Sequence, residues 1–234
     1  AYNVTLTSGG AGYAAGDRIT ITGDQLGGFT PDDDLNIDVL TVSDDSTNSI
    51  QTFSTLGSGR GGRFVAIADP NFVVYSDNGN AWQEANLDAV ADWFKVVAEN
   101  NRFCAFASNT NQYNFSYTGA NWTTRALPAT ENWVDAVGSI HGYVVIGSNA
   151  TQFAYSSNGL NWNLSATING GTPVDWKKVA YGQGRYIAIA NDRTVAVSDN
   201  NGATWTTTTN ALPAGTYDFV SLTYGGNRFI AMTA

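Results

Sequence analysis

A Gly that is followed three residues later by a Trp recurs along the chain at a nearly constant interval. The pairs are Gly79 with Trp82, Gly119 with Trp122, Gly159 with Trp162 and Gly202 with Trp205, and the glycines are 40, 40 and 43 residues apart. A repeat of this length is typical of a propeller, in which each blade is a four-stranded sheet. The spacing therefore predicts an all-β chain in which residues 53–234 form β-propeller blades of about 40 residues, four units and half of a fifth.

The strands of each unit can be located from this alignment. Each unit opens on an aromatic residue that is followed three residues later by a small or apolar one: Trp93, Trp133, Trp176 and Phe219, with Phe53 as a plausible earlier member. The second strand, such as Arg102–Ala107, is apolar at both parities, which predicts a strand covered on both faces. The third strand alternates and ends at a Ser, just before the turn that carries the Gly and the Trp. Its aromatic residues favour packing between blades over the stacking of sugar rings.

Composition excludes several classes of function. With 43% hydrophobic and 13% charged residues and 25 Gly, the chain suits short strands joined by tight turns. A net charge of −9 disfavours nucleic acid as a partner, and no apolar run is long enough to span a membrane. A single Cys excludes an intrachain disulfide framework. The chain begins with Ala and its fifth unit is half complete, which favours a fragment; a strand near the start that completes this unit is the alternative.

The turn of the fourth unit resembles a known motif. Residues 198–205 read Ser-Asp-Asn-Asn-Gly-Ala-Thr-Trp, which is similar to the Asp-box hairpin of sialidase-like propellers, Ser-x-Asp-x-Gly-x-Thr-Trp. Asn200 stands where that motif has Asp, and the other three copies are one residue shorter between the Ser and the Gly. In those families the hairpin is a folding element on the rim, so the resemblance implies a propeller and no activity.

Residues 1–52 do not follow the repeat and are predicted to form a small Gly-rich β module. Residues 2–7, 18–22 and 35–39 alternate with period two, as strands with one buried face do. The pattern Gly-Gly-x-Gly-Tyr-x-x-Gly-Asp at residues 9–17, followed by Ile-Thr-Ile-x-Gly and Leu-Gly-Gly, resembles β modules of tail fibres and related virion proteins of marine, cyanophage-like bacteriophages. Residues 49–56 could close this module or open the first blade.

The lone His and the lone Cys are each explained by their slot in the repeat. His141 occupies a turn position that Gly62, Asn101, Gly184 and Asn227 hold in other units, so we expect a turn residue with positive φ. Cys104 occupies a second-strand position that Val or Ile holds elsewhere, so we expect a core residue. These assignments predict no catalytic residue.

Four arginines also share one slot. Arg63, Arg102, Arg185 and Arg228 precede or begin the second strands, which spreads them around the ring; the others are Arg18, Arg60, Arg125 and Arg193. A glycosidase would also need two carboxylates a few ångströms apart, for which the sequence gives no pairing. Sialidase chemistry is therefore disfavoured.

An acidic loop is the one candidate for a cation. Asp32, Asp33 and Asp34, with Asp38, could supply oxygen ligands to Ca²⁺, but Pro31-Asp32-Asp33 is also a good turn. Asp77 and Asp199 lie in turns as well, where Asp is favoured for its local hydrogen bonds. The sequence predicts no metal and no cofactor.

Together these observations favour a structural or adhesive protein of a phage virion, a tail fibre or surface appendage in an extracellular particle. Its expected partners are other virion proteins and a glycan or protein of the host surface, with a homo-oligomer as a further possibility. Two alternatives stay open: a sialidase-like enzyme that cleaves glycans, and a cellular assembly factor of the Asp-box propeller kind.

Overall fold

A computed structural model describes the backbone of residues 18–21, 35–42 and 50–57, and both backbone and side chains of residues 63–99 and 102–234. The chain divides into two compact units, Ala1–Arg63 and Phe64–Ala234. In the described residues the one regular element other than β-strand is a single turn of 3-10 helix at Asn169–Gly171.

The first unit contains a three-stranded antiparallel sheet in the order β1-β2-β3. Its strands are β1 (Arg18–Ile21), β2 (Leu35–Val42) and β3 (Ile50–Gly57). Phe53 of β3 pairs with Val39 of β2. The domain boundary that the sequence placed between 52 and 53 therefore falls inside a strand, and Phe53 is not the opener of the first blade. The backbone pairing of β3 with β2 decides between the two alternatives for residues 49–56. The strand expected at residues 2–7 lies outside the described residues.

The second unit is a series of five groups of antiparallel strands, which we number as blades. The pairing of Ser148 with Asp175 and of Ala150 with Val174 joins blades 3 and 4 into one eight-stranded sheet. Blade 1 comprises β4 (Phe64–Ala68), β5 (Phe72–Ser76) and β6 (Gln83–Asn86). Blade 2 comprises β7 (Trp93–Glu99), β8 (Arg102–Ala107), β9 (Thr110–Ser116) and β10 (Thr123–Glu131). Blade 3 comprises β11 (Trp133–Ser139), β12 (Gly142–Ala150), β13 (Ala154–Ser156) and β14 (Asn163–Leu164). Blade 4 comprises β15 (Val174–Gly182), β16 (Arg185–Ala190), β17 (Val195–Ser198) and β18 (Thr206–Thr208), and blade 5 comprises β19 (Phe219–Gly225) and β20 (Arg228–Thr233).

Each first strand of blades 2 to 5 contains a bulge directly after its opening aromatic residue. In blade 2 the register shifts between Trp93 and Lys95, and the same shift follows the opener in the next three blades. An extra residue in one strand bends it and increases its twist. The opening aromatic residues lie in the core, where Trp133 and Trp176 are fully buried.

The core lies between successive blades. Three clusters of buried apolar side chains are formed, and each draws residues from two neighbouring blades. Strands β8 and β12 are buried along both faces, as the sequence predicts. For β4 and β20 that prediction is wrong: both strands are mostly exposed, and within the described residues each belongs to a blade that has a neighbouring blade on one side only.

Candidate functional site

The first strands of blades 2 to 5 lie side by side and line an open cavity of about 380 Å³. The second half of each strand supplies the lining: residues 95–98, 136–138, 179–181 and 222–224. Most of these side chains are small and apolar, and the larger ones include Tyr181 and Tyr224. Ligand sites are concave and combine apolar side chains with polar groups, so this cavity, whose surface is more polar than apolar, is the candidate site of the propeller.

A buried carboxylate beside the cavity joins three blades. Asp135 follows the bulge of β11, and its Oδ1 atom lies 3.0 Å from Nζ of Lys95 on blade 2. Its Oδ2 atom accepts a hydrogen bond of 3.0 Å from the backbone N–H of Val179 on blade 4. Both carboxylate oxygens are therefore engaged by neighbouring blades. The geometry is that of a structural link, because a general base or nucleophile needs an oxygen that can reach a substrate.

Gly138 and Gly182 let neighbouring first strands approach each other closely. Both lie near the C-terminal ends of their first strands, at one end of the cavity. A Cβ atom on Gly138 would lie 2.8 Å from Cγ1 of Val97 on the preceding blade. A Cβ atom on Gly182 would collide with the ring of Tyr224 on the following blade. Larger residues are excluded at both positions, since such distances are well inside van der Waals contact.

The two tyrosines that line this end of the cavity contact an imidazole and an amide group. The Tyr181 ring lies 6.0 Å from the ring of His141, and the Tyr224 hydroxyl donates to Oδ1 of Asn227 at 3.0 Å. The same Oδ1 atom accepts from Nε2 of Gln183 at 2.7 Å. Aromatic faces beside neutral hydrogen-bonding groups are suited to sugars or peptides, which present both apolar and polar surface.

The arginines do not converge on the cavity. Arg102, Arg185 and Arg228 each begin the second strand of a different blade, and Arg63 directly precedes β4. Arg185 pairs with Asp199 in its own blade, Nε to Oδ1 3.1 Å, whereas Arg102 is buried and lies over the Tyr117 ring. Lys95 is the one charged residue that the described part of the chain contributes to the lining.

His141 lies in an exposed turn, but not with the backbone that its slot predicted. The positive φ of that turn belongs to Gly142, at +123°, where a Cβ atom would collide with the backbone of Ser156. In blades 4 and 5 the residues aligned with His141, Gly184 and Asn227, do have positive φ. The turn of blade 3 therefore places its left-handed residue one position later.

Cys104 is fully buried in β8. Burial raises the pKa of its thiol well above the usual range, so the thiolate that a nucleophile requires is not formed near neutral pH. Its Sγ atom faces the carbonyl oxygen of Gly159, the hairpin glycine of blade 3, at 3.9 Å.

The four Gly and Trp pairs form the same hydrogen bonds in blades 1 to 4. The Ser that ends the third strand accepts a bond of 2.7–3.0 Å from the Gly backbone N–H, and the Trp Nε1–H donates to the Gly carbonyl at 2.9–3.3 Å. All four glycines have positive φ: Gly79, Gly119, Gly159 and Gly202.

The residue before the Gly in the shorter hairpins acts through its side chain. Oδ1 of Asn78 accepts from two backbone N–H groups at 2.8 and 2.9 Å, and Thr118 and Asn158 do the same in their hairpins. In the longer copy Asn200 accepts from Thr204. Asn and Thr thus perform as neutral residues the turn-closing role for which the Asp-box has Asp.

The aromatic residues that the sequence placed in the third strands of the middle blades are buried or half-buried, and Phe153 lies directly before β13. Tyr113 and Phe153 are fully buried, and the Tyr113 hydroxyl donates to the Gly159 carbonyl at 3.0 Å. Asp32, Asp33 and Asp34 lie outside the described residues; Asp38 pairs through its backbone with Arg18. Within the ranges 63–99 and 102–234, no group of three or more His, Cys, Asp or Glu side chains could hold a metal ion.

Solved structures that resemble this chain are propeller-type proteins. YCF48 bound to D1 peptide matches at 13% identity with a TM-score of 0.56, over 87% of this chain and 70% of that one. Virginiamycin B lyase from Staphylococcus aureus with quinupristin matches at 11% identity with a TM-score of 0.62, over 93% of this chain and 67% of the lyase chain. The nidogen/laminin complex matches at 8% identity with a TM-score of 0.50, over 86% and 82%. These likenesses confirm the all-β propeller fold that the repeat predicts.

No protein-family model and no curated protein matches the sequence. None of the helices in the described part of the chain is long and apolar enough to cross a membrane.

Proposed function

We propose that this chain is a non-catalytic adhesion protein of a phage virion, a tail fibre or surface appendage component, whose propeller binds a glycan or peptide of the host surface. The observation that carries the binding role is the cavity between the first strands. Its lining combines small apolar side chains with two tyrosines and presents more polar than apolar surface, and the carboxylate beside it, Asp135, is engaged by Lys95 and by the backbone of Val179. Glycan cleavage would need two available carboxylates at a few ångströms from each other.

Assignment to a virion rests on the sequence of residues 2–42, which resembles β modules of phage tail fibres. A β module followed by a propeller suits an appendage, in which one part joins the particle and the other presents loops. Among the structural neighbours, YCF48 is bound to a peptide and nidogen to laminin, so this fold supports binding to proteins.

Tyr224 and Tyr217 provide a matched pair of variants for the binding role. Both belong to blade 5, but Tyr224 lines the cavity, whereas Tyr217 precedes β19 at its opposite end and stacks on Phe219. Host cells and immobilised host glycans would be titrated with the wild-type chain, Tyr224→Ala and Tyr217→Ala. We expect Tyr224→Ala to weaken binding by about tenfold or more and Tyr217→Ala to leave it unchanged. Equal binding by all three would contradict the assignment of the cavity.

The same incubations test the alternative of a glycan-cleaving enzyme. Chromatography of sialylated and algal polysaccharides after incubation should show no product under the adhesion hypothesis. Product release that is lost in Asp135→Asn, with the melting temperature kept, would replace adhesion with catalysis. The remaining alternative, a cellular assembly factor, is tested with an antibody against the propeller. The adhesion hypothesis predicts that the antibody detects the chain in purified virions. Detection in uninfected cells, with none in virions, would favour the assembly factor.

A further inference from the structure

The chain contains four pairs of an Asn followed directly by a Gly, at residues 78–79, 158–159, 169–170 and 201–202. This pair is prone to spontaneous deamidation, because Gly has no Cβ atom to hinder ring closure. The Gly backbone nitrogen loses its proton and attacks the Cγ atom of the Asn side chain, ammonia leaves, and a cyclic succinimide forms. Water then opens the ring to Asp or to isoaspartate. All four pairs have the same two residues, so large differences between their rates in the native protein have to come from the fold.

Three of the pairs lie in the blade hairpins, where the attacking nitrogen is held by a hydrogen bond. The N–H groups of Gly79, Gly159 and Gly202 each donate to a Ser Oγ atom, at 2.9, 2.8 and 3.0 Å. In two of these hairpins the amide under attack is fixed as well, since Oδ1 of Asn78 and Oδ1 of Asn158 each accept two backbone hydrogen bonds. Ring closure in the hairpins therefore requires that these bonds break first.

The fourth pair lies in the 3-10 turn between β14 and β15 and is held much less firmly. The N–H of Gly170 has no hydrogen-bond acceptor in the described part of the chain. Gly170 is exposed, and nothing lies within 4 Å of its Cβ position. The Asn169 side chain makes two contacts that are longer than usual hydrogen bonds: Nδ2 to the Thr172 carbonyl at 3.4 Å, and Oδ1 to the Thr207 hydroxyl at 3.5 Å. Both reacting groups are thus freer here than in the hairpins.

We propose that Asn169 is a deamidation site of the folded protein, and that the hairpins protect Asn78, Asn158 and Asn201. The product carries a new carboxylate in a chain whose net charge is already −9. The inference does not depend on the adhesion proposal, because neither Asn169 nor Gly170 lines the cavity.

Deamidation at this turn acts on a connection between blades 3 and 4. Ile168 is buried directly before the turn, and its N–H donates to the carbonyl of Thr151 in blade 3 at 2.8 Å. The N–H of Ala166 donates to the carbonyl of Ala203, in the hairpin of blade 4, at 2.8 Å. Isoaspartate adds a carbon atom to the main chain, so we expect it to loosen this connection and to make it more sensitive to proteolysis.

Timed incubation of the full wild-type chain in mildly alkaline buffer tests the proposal, with one sample native and one in denaturant. The buffer is made with heavy-oxygen water, so that peptide mapping by mass spectrometry separates new deamidation from any that occurred before. In the native sample Asn169 should deamidate about tenfold or more faster than each hairpin Asn, because hydrogen bonds have to open in the hairpins. In denaturant the four rates should converge.

Asn169→Gly is the matched control, because Gly accepts the φ of +52° at this position and removes the reactive amide. Methylation by an isoaspartyl methyltransferase should label the incubated native wild-type chain and leave this variant at background. The proposal is overturned if any hairpin Asn deamidates as fast as Asn169 in the native protein. It is also overturned if the same differences between the four rates persist in denaturant, because the fold would then not cause them.

Discussion

The hairpin glycine Gly202 is predicted to be required both for its left-handed backbone and for its close contact with the preceding blade. A comparison with Gly184, in the turn between β15 and β16, separates the two effects. Gly202 has a φ of +89°, and a Cβ atom there would lie 2.8 Å from Cγ2 of Val144 and 3.0 Å from Cβ of Tyr155. Gly184 has a φ of +75°, but nothing lies within 4 Å of its Cβ position. Gly184→Ala therefore tests the backbone conformation alone, and Gly202→Ala tests the conformation together with the contact between blades 3 and 4.

The expected losses follow from these geometries. A left-handed backbone costs a residue with a Cβ atom about 1–2 kcal/mol, which is the whole effect expected for Gly184→Ala. Overpacking adds about 1–3 kcal/mol where the neighbours cannot move, and Val144 is fully buried. Gly202→Ala should therefore lower the free energy of unfolding by about 2–5 kcal/mol.

Trp fluorescence in a urea titration measures both losses. All seven Trp residues lie between residues 82 and 205, so the signal reports on the propeller unit alone. The difference between the two variants should be about 2 kcal/mol at the middle of the range, which corresponds to about 6 °C in melting temperature if thermal unfolding is followed instead. If Gly202→Ala is no less stable than Gly184→Ala, the hairpin glycine of blade 4 does not pack on Val144 and Tyr155 of blade 3.

Three further predictions follow from buried contacts. Trp162→Ala should cost about 3–5 kcal/mol of unfolding free energy, because the ring contacts two aromatic residues of blade 2. Trp82→Ala in dilute protein should cost about 1 kcal/mol or less, because Trp82 is 47% exposed. Equal losses of the two variants in urea titrations would contradict this difference in burial. Asp135→Ala should lower the free energy of unfolding by about 1–3 kcal/mol, because the buried N–H of Val179 loses its acceptor. Lys95→Met should lower it by about 1 kcal/mol or less, since the Lys95 side chain is 43% exposed. The reverse order in urea titrations would refute the structural role of the carboxylate. Cys104 should resist a thiol reagent in the native protein even at about pH 8.5, the ordinary pKa of a Cys, because burial raises its pKa, and should react fully in denaturant; rapid native labelling would place it outside the core.

The repeat could be predicted because the hairpins are local. A Ser, a positive-φ Gly and a Trp close their hydrogen bonds within seven or eight residues of chain, as from Ser76 to Trp82, so their spacing alone indicates the turn. The exposed second strands of blades 1 and 5 could not be predicted from their own sequences. Phe64–Ala68 is as apolar as the buried strands, and what differs is the presence of a neighbouring blade.

The cavity and its carboxylate depend on contacts between distant residues. Asp135 meets Lys95 across 40 positions and Val179 across 44, and no local pattern pairs them. The available signal was a charge inside a first strand, since Lys95 and Asp135 occupy the same position after the opening aromatic residue in successive units. The bulges likewise depend on register with the second strand, which periodicity within one strand does not reveal.

The hairpins build the propeller, and the proposed ligand site is the cavity between the first strands. Binding of folded Tyr224→Ala to host cells, measured beside Gly202→Ala at a temperature where both are native, tests this division most directly. We expect Tyr224→Ala to lose binding by about tenfold or more while Gly202→Ala binds as the wild-type chain does. Full binding by Tyr224→Ala, or loss of binding confined to the hairpin variant, would contradict it.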